Sequence, residues 1–299
     1  MENELFGKHC AKGLVAAYQN KYWQCQNPEN AQVIFLGLDA NWEKDIESNE
    51  TGIYNDILKY LDDGVAYWIE VGFHHPFLLP NYNKGGGYKY HSNFAKTNIS
   101  SKYADKVSFV ELIGIPTYGR SSKSSSLFDK MIDLEYLKVL NNTIFDNKPK
   151  LLFIAKSVYD KIQKVKHKMK TNDLFDFDME LGSNFCNRLM NIHSSNNTIV
   201  FVHTHFSGNI TTNHLQDIGN MAISFMDHMK DNSWWKITFA KNGNNDQHEE
   251  VRYLCAKDVF CVIDIISRNI GEKSIKDYFN YLEIKVINDD EVDEHYMLE

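Results

Sequence analysis

The chain alternates between short, apolar-dominated runs and longer stretches whose apolar residues recur every three or four positions. The short runs are Val33 to Gly37, Val107 to Leu112, Leu151 to Ala155 and Thr198 to His203. Runs of that length with little polar alternation suit strands covered on both faces, as in a parallel sheet. Helical spacing precedes the first run over residues 4–23. It recurs over 53–70, 127–146, 157–170, 177–192 and 213–230. Strands and helices in alternation predict an α/β fold, a four-stranded parallel sheet sandwiched by helices. Past residue 231 the pattern changes. Trp235 to Ala240 and Val251 to Leu254 read as a hairpin around Asn242-Gly243-Asn244-Asn245, with helices expected over 256–268 and 274–282. The expected division is a main domain over 1–231, a small α+β C-terminal appendage over 232–287 and an acidic tail over 288–299, too charged to pack.

Composition adds compartment and charge. At 299 residues and 34.7 kDa, one large domain with a small partner is the expected organisation. The five cysteines are scattered and include no C-x-x-C pair, so neither a disulfide framework nor a zinc ribbon is expected. The start, Met1-Glu2-Asn3-Glu4, has no signal-peptide character, and no apolar run approaches a membrane span. A cytoplasmic monomer without membrane contact is the expectation. The net charge of −8 argues against a nucleic-acid partner at first sight. Its distribution removes that objection: Lys241 to Glu299 holds 14 acids and 7 bases, a net of −7, and the preceding 240 residues carry only −1.

In an open α/β sheet, chemistry gathers beyond the carboxyl ends of the strands. Gly37-Leu38-Asp39-Ala40-Asn41-Trp42 follows the first run there. A carboxylate on such a loop can orient water or stabilise a developing cation; Asp39 could equally cap a helix or close a turn. His203-Thr204-His205-Phe206-Ser207-Gly208 follows the last run. One histidine there can donate to an oxygen that gains charge, whereas two at i, i+2 can instead ligate a metal. Ser207-Gly208 at a helix start would offer backbone amides to an anion. Arg120, Ser121, Ser122, Lys123 and Ser124 form a polar loop able to grip phosphates. Phe73 and Phe77 open an aromatic stretch, running to Phe94, that suits either base stacking or loop packing. Lys156 to Lys170 holds six lysines against one acid, with Lys161, Lys164 and Lys168 on one helical face.

The order of these motifs resembles the uracil-DNA glycosylase superfamily over residues 30–230. The resemblance implies a DNA partner, base flipping and hydrolysis of an N-glycosidic bond with no cofactor and no metal. It implies that Asp39 activates water, that His205 steadies the departing base and that Ser207 stands beside it. It also implies a minor-groove wedge after His205, at Ile210 or Leu215. Gly37, Leu38, Asn41, Phe73, Phe77 and Glu111 would then surround the base, and Arg120 to Ser124 with Ser207 and Gly208 would hold phosphates.

Two positions depart from the family pattern. Where its uracil enzymes carry an Asn that reads the base edge, this chain carries Glu111. Read as an ionised acceptor, Glu111 favours a cytosine amino group over uracil O4. Where they carry a Tyr beside C5 of the base, this chain carries the smaller Asn41. Both changes point to a cytosine-like base, with a bulky 5-substituent as in modified phage DNA, and so to a role in phage defence. Val251 to Val259 resembles the start of a BRO amino-terminal domain, a DNA-associated module. Two other classes stay open: a non-catalytic sensor of modified DNA or a nucleotide, and a metal-dependent hydrolase built on His203 and His205.

Overall fold

Each of the four apolar runs becomes a strand at the centre of one sheet. The computed structural model describes residues 6–19, 21–48, 52–82, 85–119, 121, 125–146, 148–171, 174–175, 179–182, 191–195, 198–228, 233–241, 250–256 and 279–287. In chain order the elements are β1 (Gly7–Lys8), α1 (Lys12–Gln19), β2 (Trp23–Cys25), β3 (Val33–Asn41), α2 (Ile53–Asp62), α3 (Gly64–Val71), α4 (Tyr88–Ala95) and β4 (Val107–Tyr118). Then come α5 (Ser125–Met131), α6 (Leu134–Ile144), β5 (Lys150–Ala155), α7 (Lys156–Met169), β6 (Met179–Gly182), β7 (Asn191–Ser195), β8 (Thr198–His203) and α8 (Thr212–His228). The last described strands are β9 (Ser233–Lys241), β10 (Glu250–Ala256) and β11 (Phe279–Ile287).

The protein is α/β, with a mixed sheet flanked by helices. Its parallel centre runs β4-β3-β5-β8. The sheet is wider than the four strands expected. Antiparallel β2 and β1 cover the start and end of the outer edge of β4, and antiparallel β7 and β6 extend beyond β8. Bare edges leave backbone donors and acceptors unpaired, and these short strands satisfy them. They also replace helix where helix was expected. Residues 4–23 give only the eight residues of α1 between two edge strands, and 177–192 contains β6 and the start of β7.

Strand alternation sorts the core into two layers. Val33, Phe35, Val107, Phe109, Leu151, Phe153, Ile199 and Phe201 face α3, α4 and α8 through Trp68, Phe94 and Phe225. Ile34, Leu36, Val110, Leu112, Leu152, Ile154 and Val200 face α5, α6 and α7 through Phe128, Leu140 and Val158. Two long helical stretches break where an aspartate caps a new helix. Asp63, in extended conformation, accepts from Ala66 N–H and starts α3. Asp133 accepts from Glu135 and Tyr136 N–H and starts α6. Both are ordinary N-caps.

The chain runs from β3 outward to β4 on one side, then returns to β5 on the other. That reversal opens a crevice at the carboxyl ends of β3 and β5, where ligands of such sheets bind. The C-terminal strands form a second sheet, β10-β9-β11, all antiparallel. The expected hairpin pairs as β9 and β10, but residues 279–282 are strand and not helix. The helix expected over 256–268, the turn 242–245 and the tail 288–299 lie outside the described residues.

Candidate active site

A cavity of about 530 Å³ occupies that crevice, within the ~300–1,000 Å³ of small-molecule pockets. Its wall gathers Gly37, Leu38, Asp39, Asn41, Phe77, Glu111, Ser121, His205 and Ser207 from five separate parts of the chain. Gly37, Asp39 and Asn41 fall two residues apart along β3, so they share the face that turns toward the cavity. Asp39 was expected on a loop. It lies inside β3, opposite an irregularity in β4 where the register jumps from Asp39–Ile113 to Ala40–Pro116. Bulges of this kind re-aim side chains at the ends of strands.

The carboxylate of Asp39 is held by neighbours. Thr117 Oγ1 donates to Oδ2 at 2.9 Å and Asn41 Nδ2 at 3.3 Å, and the Ser121 side chain donates as well. Asn41 Nδ2 also donates to the carbonyl of Gly119, whose φ of 78° is open to glycine. Burial raises the Asp39 pKa above its ordinary value, and these three hydrogen bonds pull the other way.

Glu111 is the second carboxyl group on the wall. It pairs in register with Gly37, where an added Cβ would stand 2.0 Å from Glu111 Oε2. Glycine at 37 therefore makes room for the carboxyl. No described side chain donates to it; burial first, and then the charge of Asp39, push its pKa well above the carboxylate range. Both causes work against the ionised form expected from the sequence. Two carboxyl groups with diverging environments mark a division of roles.

His205 is oriented by its own loop. Its Nδ1 accepts the N–H of Ser207 at 3.0 Å, which leaves the neutral ring with its proton on Nε2. Burial lowers its pKa and favours that neutral form. The N–H of Gly208 closes the same turn on the His205 carbonyl at 2.8 Å. Both amides expected to bind an anion are thus engaged, and α8 begins only at Thr212.

Several expected positions fall elsewhere. Phe73 is 40% exposed and does not line the cavity; Gly72, with a φ of 80°, turns the chain so that Phe77 enters the wall in its place. Leu215 is buried in the core on α8, which cannot supply a wedge; Ile210 is only partly buried. His203 packs among Phe153 and Phe206, and its Nδ1 lies 2.8 Å from the Thr204 carbonyl, so it faces the core and does not pair with His205. Among the described residues, no group of three or more His, Cys, Asp or Glu could hold a metal ion. Arg120, Ser122, Lys123 and Ser124 lie outside the described residues. On α7, Lys156 pairs with Asp160, and both Lys161 and Lys168 pair with Asp129 of α5. Much of the expected basic stripe is thus neutralised within the protein.

The sequence reading missed Trp42, His75, Tyr90 and His91 on the cavity wall. His75 stacks on His91 with ring centres 3.5 Å apart, and His74 Nε2 lies 3.1 Å from His91 Nδ1. The clue was His74-His75-Pro76, where Pro76 starts a 3-10 turn and His75 Nδ1 caps it by accepting from Phe77 N–H. Burial holds His91 and His203 neutral down to about 3, and His74 and His75 well below their ordinary 6.5. The unfolded chain takes up protons on these rings below 6.5, whereas the fold refuses them. Stability will therefore fall with pH from 6.5 toward 3, by up to about 1.4 kcal/mol per pH unit for each ring. Urea midpoints at neutral and mildly acid pH measure this, and an unchanged midpoint contradicts it.

No helix among the described residues is long and apolar enough to cross a membrane. Compared with family models, curated proteins and solved structures, the chain matches none.

Proposed function

We propose that the protein is a monofunctional DNA glycosylase that hydrolyses the N-glycosidic bond of a flipped-out, 5-modified cytosine. The observation that carries this reading is the convergence of Asp39 and His205 on one cavity at the switch point of the sheet. The parallel strands between helical layers fit a catalytic domain over 1–231. The second sheet fits a separate C-terminal appendage.

A base inside a duplex cannot reach this cavity, so the target nucleotide must leave the stack. The aromatic walls, Phe77 and Phe109, offer it apolar faces. As the glycosidic bond lengthens, the sugar gains oxocarbenium character and the base gains negative charge. Asp39 stabilises that cation and positions the attacking water. His205 donates its Nε2–H to the base oxygen that gains charge. Gly86, Gly87 and the short Asn41 leave space along one wall for a 5-substituent. Phage defence follows as the role, since 5-substituted cytosines mark modified phage DNA.

Mass spectrometry of bases released from a panel of cytosine, 5-substituted cytosine and uracil DNAs tests the proposal, with a chelator present. Release of the 5-substituted base, unaffected by chelator, is expected. Release of uracil alone overturns the base class. DNA binding without any released base makes the protein a sensor.

A further inference from the structure

The surroundings of Glu111 determine what it can say to a base. Its carboxyl group lies over Gly37, close enough that a Cβ there would meet Oε2 at 2.0 Å and Oε1 at 2.8 Å. Asp39 faces it from β3, Tyr18 from α1, Tyr60 from α2 and Tyr90 from α4. From α6, Tyr136 donates its hydroxyl to the backbone carbonyl of Glu111 at 2.6 Å, leaving the side chain free of that bond. His75, His91 and His205 complete the titratable groups of the wall. Among the described residues, no lysine or arginine lines the cavity. Among the described residues, a negative charge on Glu111 would have neither a cation nor a donor beside it, and a second carboxylate close by. Asp39, by contrast, has three donors.

We propose that Glu111 reads the hydrogen-bonding edge of the flipped base as an uncharged carboxylic acid, giving one O–H and accepting on its other oxygen. This rests on the glycosylase reading for the presence of a base in the cavity. Toward cytosine, the O–H meets N3 and the carbonyl oxygen accepts from the N4 amino group. Toward uracil the two oxygens exchange roles: the O–H meets O4 and the carbonyl accepts from N3–H. Glu111 therefore selects a pyrimidine with an open N3/C4 edge but does not separate cytosine from uracil. The space around C5 beside Asn41 then selects by the 5-substituent, which is where a modified cytosine differs from both unmodified bases. Burial and Asp39 hold the proton on Glu111, in keeping with the geometry.

Calorimetric binding of cytidine, uridine and their N3-methyl derivatives tests this without any need for catalysis. The expected result is that cytidine and uridine bind within about fivefold of each other and that N3-methylation weakens both about tenfold or more. Glu111→Ala should lose a similar factor. Glu111→Gln, which keeps one donor and one acceptor, should restore binding. Raising the pH through the Glu111 pKa should weaken cytidine binding by the wild type and not by Glu111→Gln. The proposal is overturned if Glu111→Gln binds as poorly as Glu111→Ala, if wild-type binding strengthens with rising pH, or if no N3-dependent binding occurs. N3-dependent nucleoside binding without base release from DNA would leave this inference standing and remove the glycosylase; base release indifferent to Glu111 would do the reverse.

Discussion

Asp39→Asn is expected to lower single-turnover base release by about 10³-fold, within the range of a lost general base, and to leave DNA affinity within about threefold. The substitution keeps the shape of the side chain and an oxygen able to accept from Thr117 Oγ1, which now sits 2.9 Å from Oδ2. What it removes is the charge. Among the described residues of the cavity wall, Asp39 is the carboxylate held by three donors, whereas burial and Asp39 work against a charge on Glu111. The amide also cannot take a proton from water. Binding depends on contacts along the strand and on the base edge, so it should survive. Release in the wild type should also fall as the pH drops through the Asp39 pKa, which burial holds above its ordinary value. A rate for Asp39→Asn close to wild type removes Asp39 from the chemistry. An equal loss of DNA binding makes its role structural.

His205→Ala is expected to slow base release by about 10²-fold, the size of effect seen when one preorganised donor to a developing anion is lost. The loop around it should keep its shape, because the turn closes through backbone atoms, Gly208 N–H to the His205 carbonyl. The Ser207 N–H loses its acceptor on Nδ1 but lies at an exposed residue, where water replaces it. The loss should therefore appear in the rate and hardly in affinity. Double substitution of Asp39 and His205 should cost less than the product of the two single losses, since both act on the same transition state. Equal rates for His205→Ala and wild type would make the Nε2–H a bystander.

The parallel centre of the sheet was legible because its strands are buried on both faces. Phe35 and Leu36, Phe153 and Ile154, all at 3% exposure or less, leave no room for polar alternation. The long helices α7 and α8 were legible for the converse reason, each keeping an apolar stripe against one layer of the core. The edge strands were not. Gly7–Lys8 and Trp23–Cys25 are too short to show a period, and they form because β4 offers them an open edge. The helix α4 was hidden among glycines and aromatics, with only Asn93 and Phe94 of its eight residues fully buried.

The site divides in the same way. Asp39 and Asn41 could be placed because they stand at the carboxyl end of β3, and His205 and Ser207 because they directly follow β8. Trp42 stacks on His75 and His75 on His91, joining residues 49 positions apart, and no local pattern announces that wall. The choice between Phe73 and Phe77 depended on the left-handed turn at Gly72. The protonation of Glu111 depended on Gly37 bringing the carboxyl down beside Asp39.

If the cavity at the ends of β3 and β5 breaks an N-glycosidic bond, free base and abasic sites must form together. Counting free base against abasic sites in one duplex carrying a 5-substituted cytosine tests it most directly, with wild type and Asp39→Asn in parallel. One free base for each abasic site is expected with the wild type, and on the same timescale almost none of either with Asp39→Asn. A wild-type protein that binds the duplex and yields neither product contradicts it.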